Sequence, residues 1–253
     1  YEKAKIINPN NQIADENIAL CNCKLKNFDW VKSHFQAQKD SNNLNYEFTL
    51  GYAFLLLNKK KFSEAFEIFD ARFKTKDFPK KNINHPYIIS KLNTDNKIDP
   101  NKKILIIKEQ GIGDEILFSS MYNEILNMCP DIKIECDNRL IKIFERSFKN
   151  NIFFPFGHFS SSKKKIEEFD SIIYAGSLTK HFRKNQEKFR IMPYLKSSNK
   201  VDDIIKSKLA KFKNSKKIGI SWKSVVNIYG TLKSLEIGDF KNIFNKNRTF
   251  INL

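Results

Sequence analysis

Apolar residues follow two different rhythms along this chain, and the change falls near residue 100. Up to about residue 79 they recur at helical spacing, with polar faces between. Beyond Pro100, short unbroken apolar runs appear, starting with Ile104-Leu105-Ile106-Ile107. These runs alternate with helical stretches, a pattern that predicts βαβ units and a parallel sheet. Right-handed crossovers then place helices on both faces. The expected strands are Ile104–Ile107, Ile132–Glu135, Ile152–Phe154 and Ser171–Tyr174. The expected helices are Asp114–Met128, Arg139–Lys149 and Ser177–Lys184. The pattern pauses near Pro193-Tyr194-Leu195. It then predicts a helix over Val201–Phe212, a strand over Lys217–Ser221, a helix over Ile237–Asn245 and a strand over Thr249–Leu253. Two strands do not make a doubly wound domain, so this last part reads as truncated or as packing on the first.

The helical part repeats itself. Phe28 and Phe62 are 34 residues apart, as are Ala19 and Ala53, Val31 and Ala65, and Phe35 and Phe69. Alternating small and aromatic residues at that period form the tetratricopeptide pattern. Residues 1–10, YEKAKIINPN, read as the tail of one repeat, 12–45 and 46–79 as the next two. The second is the better match, with Gly51-Tyr52-Ala53 and Phe62-x-x-Ala65-x-x-x-Phe69. Small residues let two antiparallel helices approach, and aromatics fill the space between them. Such arrays bind peptides or dock on a neighbour. A polar groove would favour a protein partner, an apolar one packing on the next domain. Residues 80–102 contain Pro86 and Pro100 among many Asn and Lys, and read as a linker.

The densest chemistry lies in Lys103–Phe118, KILIIKEQGIGDEILF. A buried strand, a glycine turn and a helix start follow one another there. In open α/β sheets ligands bind at the carboxyl ends of the strands, which is where Glu109, Gln110, Gly111, Gly113 and Asp114 fall. Glycines let a backbone come close to a ligand. A carboxylate there can take a proton from a hydroxyl or simply cap the helix.

Charge and cysteines narrow the classes. The chain of 253 residues has a formal net charge of +17. That balance fits nucleic acid, an anionic surface or an acidic substrate. The lysines are spread over the whole length, and no arginine stripe or aromatic RNA-binding motif accompanies them, so no nucleic-acid partner is expected. Cys21, Cys23, Cys129 and Cys136 form no C-x-x-C pair and the four histidines are dispersed, which argues against a zinc site. Free buried thiols fit a reducing cytoplasm. No apolar run reaches the length of a membrane span, and no signal peptide is visible.

Four segments, EQGIGDEILF (109–118), FDSIIYAGSL (169–178), PYL (193–195) and GISWKS (219–224), occur in an order similar to that of bacterial heptosyltransferase-like glycosyltransferases. That family has the GT-B architecture of two Rossmann-like domains, and a subset carries tetratricopeptide repeats in front. The resemblance implies repeats over 1–79, a linker over 80–102, an acceptor-side Rossmann-like domain over 103–196 and the start of a donor-side domain over 197–253. It implies transfer of a hexosyl or heptosyl unit from a nucleotide sugar to a glycan or protein, with inversion and without metal or cofactor. Asp114 matches the family's base. Glu109, Gln110, Gly111 and Gly113 fall on its acceptor-side turn. Lys223, Ser224, Lys233 and Ser234 fall where the family contacts donor phosphates. Most of the family's donor half has no counterpart here, so this chain alone is expected to be inactive or very weak.

Three other readings stand beside it. A tetratricopeptide scaffold would use the α/β part only for docking. A dinucleotide oxidoreductase would need G-x-G-x-x-G; Ile116 occupies the third glycine's place, while Glu135 and Asp137 lie at a suitable distance for the ribose contact. Nucleic-acid binding would show steep salt dependence.

Overall fold

The computed structural model describes residues 1–9, 11–76, 78, 88, 91–92, 97–148, 151–189, 192–212, 215–224, 230–244 and 248–252. Most of the expected linker over 80–102 lies outside them, as does Leu253. The chain forms two compact units, Tyr1–Lys196 and Ser197–Leu253.

The first unit begins with helices α1 (Glu2–Ile7), α2 (Gln12–Lys24), α3 (Phe28–Asp40), α4 (Tyr46–Asn58) and α5 (Phe62–Ile68). The spacing seen in the sequence recurs in the backbone. Helices α2 and α4 start at Gln12 and Tyr46, and α3 and α5 at Phe28 and Phe62. Asn11 and Asn45 cap α2 and α4 by accepting from the N–H groups of Ala14 and Phe48. An asparagine oxygen there satisfies a donor that the first helical turn cannot. Lys26 and Lys60 take the left-handed conformation, at φ 58° and 59°, in the turns that follow. Ala19, Val31, Ala53 and Ala65 are buried where the helices meet, and Phe28 and Phe35 pack on Tyr52.

The expected second helix of residues 46–79 stops short. From Phe69 to Lys74 the chain tightens into a 3-10 turn. This turn aims Asp70 and Arg72 at the sheet, where both find partners.

The sheet comprises β1 (Ile104–Ile107), β2 (Ile132–Cys136), β3 (Phe153–Pro155) and β4 (Ser171–Tyr174). All pairings are parallel and the order is β3-β2-β1-β4. Every residue of β1 is buried, as a central strand covered on both faces requires. Ile104 and Ile106 face a cluster with Tyr122, Ile125, Phe144 and Phe153. Leu105 and Ile107 face another with Phe78, Phe169 and Ile172. Ala53, Phe66 and Phe69 of the helical layer join the first cluster, so helices and sheet share a core.

The expected helix Asp114–Met128 is two helices, α6 (Ile112–Ser119) and α7 (Tyr122–Met128). The break is held by side chains from far along the chain. Arg183 donates to the Ser120 carbonyl at 2.9 Å, and the Tyr194 hydroxyl donates to that of Ile116. Helix α8 (Asn138–Ser147) follows β2, and a short α9 (Lys163–Ile166) follows β3. The expected helix Ser177–Lys184 is a 3-10 turn, Ala175–Leu178, running into α10 (Thr179–Phe182).

The second unit has α11 (Asn199–Leu209), β5 (Lys216–Ile220) and β6 (Arg248–Asn252), with β5 and β6 paired in parallel. The expected helix from Ile237 is 3-10 through Ile243. Val201, Ile204 and Ile205 of α11 are exposed. No described helix in either unit is long and apolar enough to cross a membrane.

Candidate functional site

In an open parallel sheet a crevice forms where the strand order reverses. Here that point lies between the carboxyl ends of β1 and β4. The β1–α6 connection begins with Lys108 and Glu109. Gln110 then takes φ 61°, in the left-handed region that few residues other than glycine adopt. Gly111 is extended, at φ -99° and ψ 174°, so the turn's unusual conformation falls on Gln110 and not on a glycine. A Cβ on Gly111 would meet only Asp114 Oδ2 at 3.6 Å, and one on Gly113 nothing within 4 Å. The two glycines therefore leave the first turn of α6 bare. Both are exposed, as is Gln110.

Asp114 is half-buried in that first turn. Its Oδ2 accepts from the Gly111 N–H at 3.1 Å, a capping contact at the positive end of the helix. Its Oδ1 has no hydrogen-bond partner among the described residues. One oxygen thus caps the helix while the other remains open.

Glu109 has a different position from the one expected of a substrate contact. It is 0% exposed. Its Oε2 accepts from Arg72 Nε at 2.7 Å, and its Oε1 from Arg72 Nη2 at 2.8 Å and the Gly176 N–H at 2.6 Å. Both oxygens are engaged within the protein, so the assignment of Glu109 to an acceptor is corrected to an internal ion pair.

Behind the turn sits a second buried carboxylate, Glu115. It accepts from Lys108 Nζ and from the Asp137 N–H, each at 2.9 Å. Burial raises its pKa, and those two hydrogen bonds oppose the rise. Asp137 caps α8 and pairs with Arg139 through Nε at 2.8 Å and Nη2 at 2.9 Å. Hydrogen bonds from Arg139 hold the Asp137 carboxyl far below the usual range. Glu135 is fully buried and accepts from the N–H groups of Gly157, Phe159 and Ser160 and from the Ser160 hydroxyl. Neither acidic residue near the end of β2 is therefore a free carboxylate for a ribose.

In the second unit, β5 runs into Ser221–Ser224. The Ser234 hydroxyl accepts from the Ser224 N–H at 2.9 Å and donates to the Gly230 carbonyl at 2.6 Å. The Leu235 N–H donates to the Trp222 carbonyl at 2.8 Å. The structure thus brings Ser224 and Ser234 together, with the Ser234 hydroxyl bridging Ser224 and Gly230. Lys223 and Lys233 are exposed and form no ion pair among the described residues.

Sequence reasoning missed Arg72, Asp70, Gly176 and Ser177. One signal was available. The chain has 39 lysines and only six arginines, and arginine's planar fork is the side chain suited to buried, bidentate pairing. Arg72 and Arg183 are both about 2% exposed. Among the described residues no group of three or more His, Cys, Asp or Glu is placed to hold a metal ion. Comparison with protein-family models, curated proteins and solved structures finds no match to this chain.

Proposed function

We propose that this chain is a glycosyltransferase of the heptosyltransferase-like, GT-B kind, preceded by tetratricopeptide-type repeats. The observation that supports the reading best is the β1–α6 turn. A carboxylate with one open oxygen and two exposed glycines sits at the carboxyl end of a central strand. The 34-residue recurrence of helix starts and caps supports the repeat part.

In this reading Asp114 takes the proton of an acceptor hydroxyl as its oxygen attacks the anomeric carbon of a nucleotide sugar. The bond from that carbon to the diphosphate breaks with inversion, and the nucleoside diphosphate departs. The second unit carries, where the resemblance puts donor-phosphate contacts, two exposed cations, Lys223 and Lys233, suited to a leaving diphosphate. The acceptor is a glycan or a protein.

A positioned base contributes roughly 10²–10⁴-fold to such a step. Sugar transfer by a version of the protein that carries a complete donor-side domain should therefore fall by that factor in Asp114→Asn. Unchanged turnover would remove Asp114 from the chemistry.

One observation favours a scaffold as the second reading. A groove of about 420 Å³ between α2, α3 and α4 is lined in similar measure by polar residues, among them Asp15, Glu16, His34 and Gln38, and by apolar ones such as Leu44 and Phe48. A protein that binds no nucleotide sugar but holds a peptide there would be the non-catalytic scaffold.

A further inference from the structure

The crevice at the β1/β4 reversal is filled by the protein's own side chain. Arg72 reaches it from the 3-10 turn that ends the helical layer. A guanidinium has five N–H donors, and all five are engaged here. Nε and one Nη2 hydrogen serve Glu109, and the other Nη2 hydrogen serves the Ser177 hydroxyl at 2.9 Å. Nη1 serves the Phe69 carbonyl at 3.2 Å and Asp70 at 2.5 Å. The group also lies over the rings of Phe69 and Phe73, at 4.5 and 4.2 Å. Asp70 in turn accepts from Ser177 at 2.6 Å and Lys180 at 3.2 Å.

The space is closely matched. A Cβ on Gly176 would lie 2.4 Å from Glu109 Oε1 and 3.1 Å from Arg72 Nη2. Only glycine at the end of β4 admits the pair. Glu109, held on both oxygens, directly precedes Gln110, the left-handed residue that sets the path to Gly111 and Asp114.

We propose that Arg72 is the positioning residue of the Gln110–Asp114 turn, so that the helical layer is a working part of the candidate site and not an appendage. Arg72 touches no open surface; it acts through Glu109. The geometry stands apart from the sugar-transfer reading, and the test contains no substrate.

The test is amide hydrogen exchange of the whole chain, compared among wild type, Arg72→Lys, Glu109→Gln and Gly176→Ala. Arg72→Lys keeps the charge and loses the fork. Gly176→Ala leaves Arg72 and Glu109 intact but displaces the Glu109 carboxylate. A positioning role predicts that the hydrogen-bonded amides of the turn, those of Gly111 and Glu115, exchange at least about tenfold faster in all three variants, beyond any change in β2 and α8. A purely stabilising role predicts that exchange rises evenly across the first unit, or not at all. Turn amides that stay within about twofold of the change in β2 and α8 would overturn the proposal. If one variant fails to fold, the other two still decide, because each disturbs the contact from a different side.

Discussion

Tyr122 is a residue whose polar end serves nothing visible in the fold. Its ring packs among Phe144, Phe148 and Phe153, and its hydroxyl is buried with no hydrogen-bond partner among the described residues. A buried hydroxyl without a partner costs about 1–3 kcal/mol. Tyr122→Phe should therefore leave stability unchanged or raise it by about 1 kcal/mol, read by urea unfolding; a clear loss would mean the hydroxyl has a partner after all. His181 behaves differently. Burial pushes its pKa down to about 4, helped by neighbouring Lys180 and then Lys184 and opposed by Asp70. The unfolded chain binds this proton near pH 6.5, whereas the folded chain does not until about pH 4. Its contribution is thus complete above pH 6.5 and is lost as the pH falls towards 4. Thermal melts across that window should show a smaller acid-side decline for His181→Asn than for wild type. Parallel declines would place His181 in water. None of this was legible in the sequence, where Tyr122 is one more apolar position and His181 one of four dispersed histidines. Burial decides both: Phe144, Phe148 and Phe153 enclose Tyr122 from far along the chain, and desolvation outweighs the effect on His181 of Lys180 and Lys184 beside it in sequence.

At the scale of elements, the sequence carried the strands well and the helix ends poorly. A fully buried parallel strand needs an unbroken apolar run, and Ile104–Ile107 and Ser171–Tyr174 appear in the structure with the expected bounds. The apolar pattern that begins at Ile116 and Leu117 predicts one helix after the glycine turn. Its break at Ser120 depends on Arg183 and Tyr194, some 60 to 80 residues further on. Local spacing contains no record of such partners. The Tyr194 contact matters because it lies just before the end of the first unit and grips the helix that carries Asp114. The ring of Tyr194 stacks on Phe148, and the Lys196 N–H donates to the Ser147 hydroxyl at 2.8 Å. Tyr194→Phe keeps the stacking and loses one hydrogen bond. It should cost about 0.5–1.5 kcal/mol in unfolding free energy. A variant as stable as wild type would show that the strap rests on its ring alone.

For the molecule as a whole, the candidate site was legible as a place and not as a set of roles. The glycine turn and Asp114 could be read from the sequence because strand, turn and helix start are contiguous. Glu109 was misread because its partner, Arg72, lies 37 residues earlier in a segment assigned to the repeats. The charge is also less even than the scattered lysines suggest. Residues 197–253 carry 12 Lys and Arg against four Asp and Glu, a net +8 of the chain's +17. That concentration in the second unit suits a diphosphate-bearing ligand. The most direct test of the proposed function is a titration of isotopically labelled protein that carries a complete donor-side domain with UDP-, GDP- and ADP-activated sugars, followed by amide NMR. At least one donor should bind, shift the amides of Lys223, Ser224, Lys233 and Ser234, and lose about tenfold in affinity in Lys233→Ala, the loss of one charged contact. Absence of binding by every donor, or shifts confined to the groove between α2, α3 and α4, would contradict the proposed function.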